Sequence, residues 1–226
     1  MTGEASDWPR AVIFDLDGTL VHSLPGMTAA LHRYFVELGL TPLPYETLLS
    51  LVGDGLPAFV ERAFALVDVP QPAGAVARLA AIYGQAPAAD SHVYPDVAEV
   101  LTTLSRSGKR LAICTNKPQA LARKLLADLA LDRHFSVIVG GDSVGARKPD
   151  PAPLLAALEP LGVAAGQAAM VGDGPHDVEA GKRAGAATVV CSYGYSRVPV
   201  SGLGADRVID GMAALPEALA TLRPGG

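Results

Sequence analysis

The sequence predicts an α/β protein: a parallel-sheet core interrupted after its first strand by an inserted α-helical domain. Three observations predict it. Short, nearly all-apolar runs recur along the chain, as strands covered on both faces require. From residue 111 onward, helical patterns separate those runs, the alternation of a sheet with right-handed crossovers. Between the first run and the second, roughly ninety residues carry helical spacing and no convincing strand.

The first strand is Ala11-Val12-Ile13-Phe14. Residues 22–92 then form the insertion. Met27, Leu31, Tyr34, Phe35 and Leu38 follow helical spacing, as do Leu56, Phe59, Val60, Ala63, Phe64 and Val67, and residues 74–84 also read helical. The hinges fall near Val21–Pro25 and Pro87–Tyr94, leaving a discontinuous core of residues 1–21 and 93–226. Val97, Leu101 and Leu104 make the next helical stripe, stopped by Gly108. Leu111-Ala112-Ile113-Cys114 is a strand, and Leu121, Leu125 and Leu129 mark the helix after it. Val137-Ile138-Val139 is a third strand, followed by a helix over Pro151–Leu161 that opens with prolines. Ala168-Ala169-Met170-Val171 precedes a helix over Asp177–Ala184, and Thr188-Val189-Val190-Cys191 follows it. Arg207-Val208-Ile209 is a weaker strand, Met212–Leu222 the last helix, and Arg223–Gly226 a tail expected to fray.

Composition bounds the function. A chain of 226 residues with 50% hydrophobic content can bury one core plus a small inserted domain. Its net charge of −5, without a Lys/Arg run, speaks against nucleic acid and membrane surfaces as partners. Met1–Arg10 is polar and holds two acids, unlike a secretory signal. No uncharged apolar stretch reaches the roughly 18–20 residues of a spanning helix. Cys114 and Cys191 both lie in apolar runs and read as buried, reduced thiols of a cytoplasmic protein.

In an open parallel sheet, ligands bind beyond the carboxyl ends of the strands. Asp15-Leu16-Asp17-Gly18-Thr19 follows the first strand, Thr115-Asn116-Lys117 the second, and Gly172-Asp173-Gly174-Pro175-His176-Asp177 the fourth, with Arg147-Lys148-Pro149-Asp150 between them. A carboxylate cluster repels itself unless something positive sits within it. Its hard oxygens suit Mg²⁺, and Lys148 with the Thr115 hydroxyl supplies donors for a dianionic phosphate. A carboxylate can act as nucleophile, and a second one two residues on can exchange a proton with the leaving oxygen and then with water. Gly18 lets the backbone bend close to the phosphate.

These four motifs, in this order over nearly the whole chain, resemble the signature of the haloacid-dehalogenase-like superfamily. Val52-Gly53-Asp54-Gly55, Thr115-Asn116-Lys117-Pro118, Val139-Gly140-Gly141-Asp142-Ser143, Arg147-Lys148-Pro149-Asp150-Pro151 and Tyr193-Gly194-Tyr195 are similar to its phosphoglycolate phosphatase branch. The resemblance implies a Rossmann-like core and a helical cap. It implies a Mg²⁺-dependent hydrolase of a small phosphorylated substrate, 2-phosphoglycolate first, working as a monomer or homodimer. Asp15 is then nucleophile and metal ligand. Asp17 is general acid/base with its backbone carbonyl on the metal. Thr115 and Lys148 hold the phosphoryl group, Asp173 binds metal, and Asp177 supports the metal shell or Lys148. Gly18, Thr19 and Asn116 line the phosphate side, and Gly53, Gly55 and Arg62 are the cap's candidates for substrate contact. The chain departs from the branch where Val21-His22-Ser23 stands for Val-Asp-Ser, and where Gly26 and Gly174 replace an acid and a serine. His22 reads as a hinge residue, with a leaving-group contact as its alternative; His32, His92 and His134 have no metal-ligand spacing.

Competing chemistries are weaker. Gly141-Asp142-Ser143-Val144-Gly145 matches a serine-hydrolase elbow, but Arg147–Pro151 interrupts the helix that motif needs. Gly172–Asp177 begins like a dinucleotide fingerprint but ends in an acid that would repel pyrophosphate. Dehalogenases of the superfamily lack the second aspartate, and its phosphonatases use a cap lysine, whereas no lysine precedes Lys109 here. A phosphatase for a sugar phosphate or nucleoside monophosphate, a sugar phosphomutase, and a non-catalytic binding protein on the same fold are the remaining alternatives.

Overall fold

The computed structural model describes residues 8–222, so the expectation for the tail Arg223–Gly226 lies outside the described residues. In chain order the elements are β1 (Ala11–Phe14), β2 (Val21–His22), α1 (Leu24–Glu37), α2 (Tyr45–Leu49), α3 (Leu56–Leu66), α4 (Ala75–Gln85) and β3 (His92–Val93). They continue with α5 (Val97–Arg106), β4 (Arg110–Cys114), α6 (Gln119–Asp128), β5 (Val137–Val139), α7 (Ala152–Leu158), β6 (Ala168–Gly172), α8 (Pro175–Ala184), β7 (Ala187–Cys191), β8 (Arg207–Ile209) and α9 (Leu215–Thr221).

Six strands form one sheet in the order β5-β4-β1-β6-β7-β8, every neighbouring pair parallel. The apolar runs read from the sequence are these strands. Their side chains alternate between two layers. Val12 and Phe14, Leu111 and Ile113, and Ala169 and Val171 pack on the face covered by α5, α6 and α9. Ala11 and Ile13, Ala112 and Cys114, and Ala168 and Met170 pack on the face of α7 and α8. Burial on both faces is why these strands show no polar alternation, and only the edge strand β8 is largely exposed. The two cysteines are free and buried on opposite faces, Cys114 on the second and Cys191 on the first. Burial pushes both thiols up to about 12.

The chain enters at β1, builds outward through β4 and β5, and returns to the other side of β1 with β6. That reversal opens a crevice at the carboxyl ends of β1, β4 and β6. The helices α1–α4 stand over it with their own core, in which Leu31, Phe35, Phe59, Phe64 and Leu79 are almost fully buried. Leu121 of α6 joins that core from the sheet side.

Four details differ from the expectation. The insertion is bounded by paired strands, β2 antiparallel to β3, with Val21 opposite Val93 and His22 opposite His92; two residues per strand are too few to display a period. α2 leaves no periodic signal in the sequence, because it has five residues and buries only Leu48. α8 begins at Pro175 rather than Asp177, since proline suits the first helical turn. Met212–Ala214 is a 3₁₀ turn, so the last helix starts at Leu215. Among the described residues no helix is long and apolar enough to cross a membrane.

Candidate active site

Each strand that reaches the crevice delivers a polar group. Asp15 directly follows β1, where its N–H donates to the Val171 carbonyl at 2.9 Å and ties the turn to β6. Thr115 follows β4, and Asp173 follows β6. Asp177, in the first turn of α8, accepts hydrogen bonds from the Asp173 and Gly174 N–H groups at 3.2 and 3.1 Å. It thus caps the helix and closes the loop that carries Asp173.

The buried ammonium of Lys148 lies 2.6 Å from Asp177 Oδ1 and 2.9 Å from Asp15 Oδ1. The second contact is an ion pair, and among the described residues that oxygen of Asp15 accepts no well-formed hydrogen bond. Lys148 is held from behind by Asn116: its N–H donates to Asn116 Oδ1 and its carbonyl accepts from Asn116 Nδ2, both at 3.0 Å. The same Nδ2 donates to the Gly53 carbonyl of the insertion at 3.0 Å. One amide therefore registers the lysine and the helical layer together.

Asp15, Asp173 and Asp177 each offer an oxygen within 4.8 Å of the others. Burial raises the Asp15 carboxyl to about 6; Lys148 opposes the shift, and Asp177 and Asp17 add to it. Asp173 is raised well above the usual carboxylate range by burial and then by Asp177 and Asp15. Burial pulls the Lys148 ammonium down, but Asp15 and Asp177 overcome this and keep it charged. Hard oxygens crowded at this cost fit a divalent cation, which relieves the desolvation and the repulsion at once.

The crevice forms a partly open cavity of ≈ 270 Å³ between the sheet and the insertion. Asp15, Asp17, Thr115, Lys148, Asp173 and Asp177 line it on the sheet side, with Asn116. Gly53 and Gly55 line it from above. Gly55 has φ +87°, and a Cβ there would stand 2.9 Å from the Asn116 carbonyl, so the loop closes this tightly only with glycine.

Three residues named from the sequence do not line the cavity. Gly18 and Thr19 lie behind Asp173: Thr19 Oγ1 donates to Asp173 Oδ1 at 3.3 Å, and a Cβ on Gly18 would fall on that carboxylate. Their turn supports the acid instead of facing the cavity. Arg62 turns its guanidinium to Asp54, with which it is hydrogen-bonded. The carboxylate of Asp17 also stands apart from the acidic triad, bonded to Ser23 Oγ and to Lys117 Nζ at 3.0 and 3.2 Å.

Sequence reasoning places Lys117 in a motif at the crevice but gives it no role, although it is buried and lines the cavity. Its position two residues beyond Thr115, after a buried strand, is the signal that could have assigned one. Sequence reasoning also misses the contact of His176 and Arg197 with Asp54. His22 takes the hinge place: Tyr195 Oη is 2.9 Å from its Nδ1 and Tyr45 Oη 3.3 Å from its Nε2, and it is not among the cavity residues. Gly141–Gly145 is a bend without a following helix, unlike a hydrolase elbow.

Comparison with known proteins agrees with this geometry. The phosphoglycolate phosphatase of Rhodospirillum rubrum is 48% identical over 96% of this chain and 94% of its own length. That of Agrobacterium fabrum is 38% identical over 92% of this chain and 91% of its own. A crystal structure of a predicted phosphoglycolate phosphatase from Haemophilus somnus superposes with a TM-score of 0.86 at 28% identity, covering 92% of this chain and 96% of that one. The family model described as haloacid dehalogenase-like hydrolase matches residues 9–185. That span takes in the first strand, the helical insertion and every motif from Asp15 to Asp177, and the chain belongs to this hydrolase family.

Proposed function

We propose that the protein is a Mg²⁺-dependent phosphomonoester hydrolase that converts 2-phosphoglycolate and water to glycolate and phosphate. The observation that carries this reading is the Asp15 carboxylate beside the Lys148 ammonium, with Asp173 and Asp177 within reach, on the floor of a cavity that is partly open to solvent. The full-length similarity to phosphoglycolate phosphatases supports the substrate.

Asp15, Asp173 and the backbone carbonyl of Asp17 would hold the ion, with Asp177 supporting them. Bound there, the ion would neutralise charge on the phosphoryl oxygens and on Asp15. An oxygen of Asp15 attacks phosphorus, and the bond from phosphorus to the glycolate oxygen breaks. Asp17, having taken up a proton from water as the substrate's charge enters, gives it to that departing oxygen. It then takes a proton from water, which attacks the aspartyl-phosphate and releases phosphate and free Asp15. Lys148 and Thr115 hold the equatorial oxygens throughout. Residues 22–92 act as a cap that excludes water during the first step and opens to release product.

The test is phosphate release from a panel of esters with and without Mg²⁺. The reading expects 2-phosphoglycolate to lead hexose phosphates and nucleoside monophosphates by about tenfold or more in kcat/KM, some 1.4 kcal/mol of discrimination. A different leading ester overturns the substrate, and no hydrolysis at all overturns the reaction.

A further inference from the structure

Apart from Lys148, the cavity holds a second buried cation. The side chain of Lys117 is only 4% exposed, and its Nζ meets one carboxylate, that of Asp17. Its other neighbours are the face of Tyr83, with the ring centre 4.5 Å away, and Met27 Sδ at 3.9 Å. Burial pulls the ammonium down, but Asp17 overcomes this and holds it charged. Two of its three N–H donors serve the Asp17 carboxylate, and the third meets only the weakly accepting thioether of Met27. The Tyr83 hydroxyl beside it is buried and, among the described residues, has no well-formed hydrogen bond. This end of the cavity thus carries a charged donor with only a soft sulfur as its third acceptor, beside a phenol, and a carboxylate would accept from both.

The surrounding wall narrows the choice. Met27, Leu56, Phe59 and Leu121 line the same cavity and offer nothing to the hydroxyls of a sugar. Arg197 lines it too, but its side chain is 47% exposed and engaged by Asp54 and the Ser50 carbonyl. Lys148 is engaged by Asp15 and Asp177.

Resting on the reaction proposed above, we infer that Lys117 binds the carboxylate of the substrate and sets the preference for a phosphorylated small acid. In the proposed step Asp17 meets the oxygen that leaves phosphorus. In 2-phosphoglycolate that oxygen bears one methylene and then the carboxylate. The cation in contact with Asp17 therefore lies where the carboxylate must go.

The probe is a pair of substrates of nearly equal size, 2-phosphoglycolate and 2-hydroxyethyl phosphate, compared as a ratio of kcat/KM. Wild type is expected to favour the acid. In Lys117→Met that ratio should fall by roughly thirtyfold or more, the scale of losing a buried charge partner, and Lys117→Arg should keep most of it. Lys117→Gln, which can still donate to Asp17, serves if the methionine variant does not fold, and the same fall is expected. A ratio that stays constant while both rates drop together overturns the inference, because Lys117 then only positions Asp17. A wild type without preference for the acid shows itself before any variant is made, and it overturns the proposed substrate together with this inference.

Discussion

His176 Nε2 lies 2.9 Å from Asp54 Oδ1, joining the first turn of α8 to the loop ahead of α3 in the helical insertion. Arg197 approaches the same carboxylate at 3.7 Å from the sheet side, and Arg62 holds it from within the insertion. Burial alone would raise the Asp54 carboxyl, but Arg62, His176 and Arg197 hold it below its ordinary value. Asp54 is thus a charged latch between the insertion and two residues, His176 and Arg197, that line the cavity.

Replacing Asp54 by Asn keeps the size and removes the charge. Both sides of the latch are partly exposed, so the loss is modest. The expected result is a rise in KM of roughly three- to tenfold with a smaller change in kcat, as the closed form loses population. Steady-state kinetics on 2-phosphoglycolate checks it. An unchanged KM would show that the pair contributes nothing to closure.

Asp15 links catalysis to stability. Its carboxyl stands at about 6 in the folded chain against 3.8 as a free side chain, with burial as the main cause. Between about pH 4 and 6 the folded protein holds a proton that the unfolded chain has released, so this group makes stability fall as pH rises through that window. Above about pH 6 the cost is complete. In metal-free protein, Asp15→Asn should therefore melt higher than wild type near pH 8, by on the order of 1–2 kcal/mol, and the advantage should vanish toward pH 4. Turnover should be abolished in the same variant. Thermal melts in a chelator across pH check the first statement. A tenth of wild-type activity remaining would remove Asp15 as nucleophile.

Asp173→Asn tests the metal directly. The change removes one charge of the triad while preserving most contacts of the side chain, including acceptance from the Tyr195 N–H at 2.6 Å. Half-maximal activity should then need roughly tenfold more Mg²⁺ or higher, and the rise in melting temperature that Mg²⁺ gives wild type should shrink. An unchanged Mg²⁺ curve would take Asp173 out of the metal site.

Much of this is legible in the chain. Five of the six core strands announce themselves because burial on both faces leaves them nearly all apolar, the exposed edge strand β8 being the weaker one, and Asp15, Thr115 and Asp173 stand out because each directly follows such a run. Lys148 is readable from its place among those motifs. What escapes is contact between segments far apart in sequence. Nothing local marks Asp54 as the partner of His176 and Arg197, or shows that Arg62 turns to Asp54. Lys117 sits in plain view within a recognised motif, but its burial against Asp17 and Tyr83 depends on where α4 of the insertion comes to rest. Gly18 and Thr19 read as facing the phosphate because the loop is adjacent to Asp15; the turn instead directs them behind Asp173.

That turn supplies a last prediction. Gly18 has φ +86°, a conformation that L side chains rarely adopt, and a Cβ there would collide with the Asp173 carboxylate and the Tyr195 ring. Both objects are held: Asp173 by Thr19 Oγ1 and the Tyr195 N–H, and Tyr195 by a hydrogen bond from the Leu24 N–H to its hydroxyl at 3.0 Å. The neighbours cannot give way without moving an acid of the triad. Gly18→Ala should therefore destabilise the fold by about 1–3 kcal/mol through backbone strain and steric conflict. It should also raise the Mg²⁺ concentration needed for half-maximal activity, as Asp173→Asn does. The two effects separate the role of the turn from a direct phosphate contact. If Gly18 served only to bring backbone N–H groups to the phosphate, the alanine variant would lose substrate affinity at saturating Mg²⁺ with an unshifted metal curve.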